Sequence, residues 1–211
     1  NEAGKSTTVE TVRLENRNAS VWDDDRRAAA FVTARDPAVM GFAKAVASLV
    51  RNGDNQALDY GLRTAMAMHG TLNLAGLGYV PDPKTPYVDY VKNAEAIDYL
   101  QFPRQTLAFR SGDCDDLTVL YCALLAAASV DTAFVTVPGH IYVAVALDST
   151  PADATATLGT TDIIVAEGRA WVPVEVTLVR QGFLVAWLEG AREWREGSAA
   201  GSAKLYPLAD A

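Results

Sequence analysis

The sequence predicts an α+β fold, mainly helical in its first part and built on antiparallel strands toward its end. Three observations lead there. Before residue 72, apolar residues recur three and four apart. After residue 131, short β-branched runs alternate with two-residue turn signals. Between the two lies one strongly apolar helix entered through a glycine and a run of acids.

Taken in order, residues 1–22 mix polar and β-branched side chains and suggest a strand through Val9, Val12 and Leu14. The Asp23-Asp24-Asp25 triplet then reads as a helix start. Pro37 opens a helix carrying Val39, Met40, Phe42, Ala43, Val46, Ala47, Leu49 and Val50, which closes near Asn52-Gly53. A second helix is expected over 56–71, with Leu58, Leu62, Ala65, Met66 and His69 along one face. Residues 72–93 hold Gly76, Gly78, Pro81, Pro83 and Pro86 among Tyr79, Tyr87 and Tyr90, which rules out a long regular element and reads as an aromatic loop.

The helix from Cys114 follows, then strands over 132–137 and 141–147 joined at Pro138-Gly139 as a hairpin. Residues 148–161 lack an apolar period and read as an exposed, mobile connection. Two more strands flank a Glu167-Gly168-Arg169 turn, and an amphipathic helix over 182–195 precedes a tail rich in Gly, Ser and Ala. The 211 residues, half of them hydrophobic, suffice for one well-buried core, so a single domain over 1–211 is expected. It would comprise a mainly helical part (1–93) and a core (94–211).

Eighteen basic against 26 acidic residues give a net charge of −8, which disfavours nucleic acid and anionic membrane surfaces as partners. No apolar run approaches the roughly 20 residues of a membrane span. The first residue is Asn rather than Met, so the chain reads as an excised segment. Ala3-Gly4-Lys5-Ser6-Thr7 imitates the end of a phosphate-binding loop but lacks the preceding strand and following apolar helix.

The chemistry concentrates at Gly112-Asp113-Cys114-Asp115-Asp116. A cysteine at a helix start has backbone N–H groups at hand to stabilise a thiolate, or an oxyanion beside it. His140, after Pro138-Gly139, is placed to act as its base, and Glu175, on a later strand, can orient the imidazole. Cys122, eight residues on within Leu120-Tyr121-Cys122-Ala123-Leu124, reads as inert core. About 12 Å of helix separates it from Cys114, beyond disulfide reach. His69 lies on an apolar stripe and reads as structural. Gln101, Gln105, Tyr79 and Tyr87 are the polar candidates for a second oxyanion donor. Asp113, Asp115 and Asp116 repel a thiolate, so an imidazolium, a capping role or a bound Ca²⁺ is needed to offset them.

These residues, in this order, resemble the transglutaminase-like superfamily of the papain-like group. The family's Gly-Asp-Cys-x-Asp appears at residues 112–116. Its Trp-x-Pro-x-Asp-x-Thr appears as Trp171-Val172-Pro173-Val174-Glu175-Val176-Thr177, with Glu in place of Asp. The resemblance spans residues 102–177. It implies a Cys-bearing helix packed on an antiparallel sheet, a Cys114–His140–Glu175 triad and acyl-transfer chemistry on a protein or peptide. The expected reaction is hydrolysis by a cysteine peptidase or amidase; glutamine crosslinking, or an idle protein-binding module, is the alternative. No cofactor is required. The acids around Cys114 are also similar to those of periplasmic bacterial members, some of them calcium-dependent, which implies an extracytoplasmic setting.

Overall fold

The computed structural model describes residues 9, 11, 24–53, 57–81 and 99–210. The strand expected from Val12 and Leu14, the Tyr87 candidate and most of the aromatic loop lie outside them. Asp24 opens the first element: its carboxylate accepts from Arg26 N and caps a 3-10 helix over Asp25–Phe31. Helix α1 spans Pro37–Asn52, with Pro37 in its first turn and Asp36 as its cap. Of the apolar residues read from the sequence it buries Val39, Ala43, Val46, Ala47 and Val50, whereas Met40 and Phe42 are half-buried and Leu49 is exposed. Helix α2 spans Tyr60–Leu74, starting later than expected because Asp59, whose Oδ1 accepts from Leu62 N, sets its N-terminus.

Two short strands, β1 (Gly78–Tyr79) and β2 (Ser111–Gly112), pair in parallel around the seven-residue helix α3, Pro103–Phe109. Helix α4, Cys114–Ala127, runs through the core and packs on α1, α3 and the central strand. Nearly all its residues are buried, so it shows no polar face.

The sheet is five-stranded, in the order β5-β6-β4-β3-β7, and antiparallel throughout. Its members are β3 (Thr132–Val137), β4 (His140–Ala146), β5 (Ile164–Ala166), β6 (Arg169–Val174) and β7 (Lys204–Pro207). At the β3–β4 turn Gly139 has φ 76°, the left-handed position that follows Pro in a type II turn. At the β5–β6 turn Glu167 and Gly168 both have positive φ, 53° and 76°, as a two-residue type I′ hairpin requires.

Both faces of the sheet are covered. Phe134, Ile141, Val143, Val145, Val172 and Val174 join the main core, which draws residues from Ala28 to Ala191. Ala133, Val135, Tyr142, Ala144 and Trp171 form a second cluster with Trp194 on the other face. Double burial explains why these strands are continuously apolar instead of alternating.

Two expectations are corrected. Residues 148–161 are not a mobile connection: Pro151–Leu158 form helix α5, with Thr150 as N-cap, Pro151 at its first position and Gly159 at φ 64° as its C-terminal stop. These capping signals outweigh the absent apolar period. Nor is the end of the chain only a tail. Helix α6 runs over Phe183–Ala199, and after a turn at Gly201 β7 pairs with Ala133–Thr136. No helix among the described residues is long and apolar enough to cross a membrane.

Candidate active site

Cys114 is the first residue of α4, after the Asp113 cap, and is 4 % exposed. Its backbone N–H therefore belongs to the first turn, whose N–H groups have no acceptor within the helix. One turn on, Thr118 Oγ1 donates to Ile141 O at 3.2 Å and fastens this end of α4 to the start of β4. His140 is the first residue of β4, stacked on Tyr142 with ring centroids 5.8 Å apart. The Cys114 thiol lies on one side of the ring, close enough for each to shift the other's ionisation. On the other, its Nε2 meets Glu175 Oε2 at 2.5 Å, which leaves Nδ1 for the sulfur.

Glu175 follows β6 and is 2 % exposed. Its second oxygen, Oε1, accepts from Thr177 N at 2.9 Å and from Thr177 Oγ1 at 2.5 Å, so the carboxylate is fixed from both ends. The Thr of the Trp-x-Pro-x-Glu-x-Thr run thus has a concrete task. Trp171, 1 % exposed, packs where it anchors the strand.

Electrostatics follow from this arrangement. Burial opposes a charge on His140, but hydrogen bonds to Cys114 and Glu175, with the charges they carry, outweigh it and lift the imidazolium to about 10. Burial pushes the Cys114 thiol up and the Asp113 charge adds to it, while His140 and the Ile141 backbone pull it back. The imidazolium therefore offsets the acidic surroundings, as the sequence suggests, but the net direction for the thiol is upward. Cys122, fully buried, is pushed up to about 12. Both cysteines are free.

Gly112 owes its place to a close approach and not to a turn. A Cβ there would lie 2.5 Å from Asp116 Cβ and 2.9 Å from its Oδ2. Asp116 in turn is held by Gln101, whose backbone N donates at 2.6 Å and whose side-chain amide bonds the other carboxylate oxygen. Gln105 Oε1 accepts from Phe102 N and caps α3. Of the two glutamines expected from the sequence as oxyanion donors, Gln101 directs its amide nitrogen to Asp116, and Gln105 uses its amide oxygen at the α3 cap. Tyr79 is the described candidate that borders it: it pairs with Gly112 across β1–β2 and is half exposed. Burial, then the charges of Cys114 and Asp113, raise its phenol.

Asp113, Asp115 and Asp116 are all buried and each offers an oxygen within 4.8 Å of the others. Asp113 Oδ1 and Asp115 Oδ1 face the Asp116 N–H at 3.5 Å and 2.8 Å, and both Asp116 oxygens are bonded to Gln101. Ca²⁺ takes six to eight oxygens, more than three carboxylates engaged in this way provide. His140, Glu175 and Glu193 form a second group with ligand atoms within the same distance. The 2.5 Å between Nε2 and Glu175 Oε2 is a hydrogen-bond length. Neighbouring ligands on a tetrahedral ion with bonds of about 2.0–2.1 Å stand farther apart, at roughly 3.3 Å.

Glu193 is the site residue that sequence reasoning misses. It sits on α6 with Oε2 3.7 Å from His140 Nε2. His69 is confirmed in the core: 1 % exposed, edge-on to Tyr121 and Phe183, and pushed down to about 4 by burial. A cavity of about 640 Å³ lies toward the far end of α4, between Arg26, Ser129, Arg169 and Trp171, and none of the triad residues lines it. No protein-family model matches the chain, and neither a curated protein nor a solved structure matches it significantly.

Proposed function

We propose that the protein is a thiol-dependent acyl-transfer enzyme of the transglutaminase-like, papain-like type, hydrolysing a peptide or amide bond in a protein or peptide substrate. The observation that carries the reading is the imidazole of His140, bonded to Glu175 on one side and set beside the Cys114 thiol on the other, where each shifts the other's ionisation. A Cys that served only as core filler would have no use for a carboxylate-backed histidine at a helix start.

In the proposed cycle, the Cys114 thiolate attacks the carbonyl carbon, forming a C–S bond as the carbonyl electron pair moves to oxygen. The Cys114 N–H and Tyr79 are the donors for that oxyanion. Its collapse breaks the C–N bond, and His140 gives its proton to the departing amine. Neutral His140 then takes a proton from water as the hydroxyl adds to the thioester. Loss of the sulfur releases the acid and restores the thiolate–imidazolium pair. Glu175 keeps one ring nitrogen aimed at the sulfur throughout. An extracytoplasmic setting belongs to the same reading.

The test is site-resolved alkylation. Iodoacetamide at low concentration, followed by peptide mass spectrometry, is expected to label Cys114 well before Cys122 in the folded protein, and His140→Ala is expected to slow Cys114. Equal labelling of both thiols, or a rate at Cys114 indifferent to His140, would overturn the proposal.

A further inference from the structure

Helix α6 is docked on the sheet with little freedom. Tyr142 Oη donates to Gly190 O at 3.1 Å, and Glu175 N donates to Ala186 O at 2.9 Å. Gly190 sits tightly against the sheet, since a Cβ would stand 3.1 Å from the Pro173 carbonyl carbon and 3.2 Å from Glu175 N. Held this closely, the helix delivers Glu193, three residues beyond Gly190, to the far side of the His140 ring.

There Glu193 Oε2 stands 3.7 Å from Nε2, buried and without a hydrogen-bond partner among the described residues. The Glu175 carboxylate already occupies that nitrogen at 2.5 Å. The Glu193 Oε1 is 3.7 Å from Arg192, whose guanidinium is engaged at 2.5 Å by both Glu189 and Glu196. A carboxylate taken from water with so little compensation opposes folding. What it supplies is a second negative charge against the imidazole.

We infer that Glu193 is a positioning residue that shares Nε2 of His140 with Glu175, holding the ring protonated and its other nitrogen turned to Cys114. The inference deepens the acyl-transfer proposal and rests on it for its meaning in catalysis; its electrostatics do not. The groups that bear on His140 and Glu193 are Cys114 from α4, Glu175 beyond β6, Tyr142 within β4, and Glu189 and Arg192 within α6. Burial and the Glu175 charge raise the Glu193 carboxyl to about 7. The second charge is therefore present above neutral pH and lost below it.

With two histidines in the chain, proton NMR of the full protein resolves the question. His69, pushed down to about 4, is an internal reference for the fold. Glu193→Gln keeps the shape and removes the charge. It is expected to lower the His140 midpoint by about one unit, as removal of a counter-charge at this range does, and to leave His69 in place. If that variant does not fold, Glu193→Asp retains the charge but withdraws it by one methylene, and a smaller fall is expected. An unchanged His140 midpoint in the folded variant overturns the inference. No substrate enters this titration. A fall in the midpoint without preferential alkylation of Cys114 would sink the acyl-transfer proposal alone, and the reverse pattern would sink only the role of Glu193.

Discussion

Replacing His69 by Phe should make the protein markedly more tolerant of acid. The ring is buried edge-on to Tyr121 and Phe183, with neither nitrogen hydrogen-bonded among the described residues, and burial holds it at about 4 against an ordinary 6.5. Because the folded value is the depressed one, the unfolded chain takes up the proton first. Stability is intact above pH 6.5 and drains away as pH falls toward 4, below which both states are charged. At about 1.36 kcal/mol per unit, the interval of 6.5 to about 4 corresponds to about 3 kcal/mol, of which about 2.5 kcal/mol is lost by pH 4.5. His140 does not mask this, because its own window, between 6.5 and about 10 where stability is lost as pH rises, is common to wild type and variant and cancels in their difference. Urea unfolding at pH 7.5 and 4.5, followed by far-ultraviolet circular dichroism, gives the two differences for wild type and His69→Phe. The variant, which keeps a ring in the same space, should lose about 2.5 kcal/mol less over that range. Parallel losses in the two proteins would refute the neutral, unpartnered histidine.

Cys114→Ala should abolish acyl transfer with little loss of fold, whereas Cys122→Ala should keep the chemistry and lose about 1–2 kcal/mol to a small void, measured by urea unfolding. Retained turnover in the first variant would remove Cys114 from the mechanism. Gly112→Ala forces a methyl against Asp116 and should lower stability by about 1–3 kcal/mol, with slower alkylation of Cys114 as the Gln101–Asp116 contact shifts. A wild-type melting temperature there would mean that the backbone yields easily. Thermal melts in Ca²⁺, Mg²⁺ and chelator should coincide, since ligand linkage requires a calcium-specific rise only if the three aspartates bind the ion.

The chemistry of the site is more legible in the sequence than its supports. Cys114, His140 and Glu175 stand out because a helix start and two strand ends each have local signals, and the hairpin turns at Pro138-Gly139 and Glu167-Gly168 are equally local. Glu193 carries no such signal. On α6 it looks like any of several acids alternating with Arg192 and Arg195, and only the docking of Gly190 on the sheet reveals which of them faces the imidazole. Gln101 shows a related limit: an amide near a thiol is a plausible donor by composition, but the approach of the chain before α3 to Asp116 gives its amide nitrogen a partner that the sequence does not show. Helix α5 is legible in Thr150-Pro151 and Gly159, local capping signals that do not depend on a hydrophobic period.

The pairing of β7 with β3 covers the backbone edge of an apolar strand. Ala133–Thr136 is an apolar segment whose outer row of backbone donors and acceptors is closed by only four residues, Lys204–Pro207. Trimming the protein before residue 204 would turn β3 into an open margin, able to recruit the same segment of another copy. Its natural border, by contrast, is short, begins with a lysine and ends with a proline, which limits how far a foreign strand can extend the sheet.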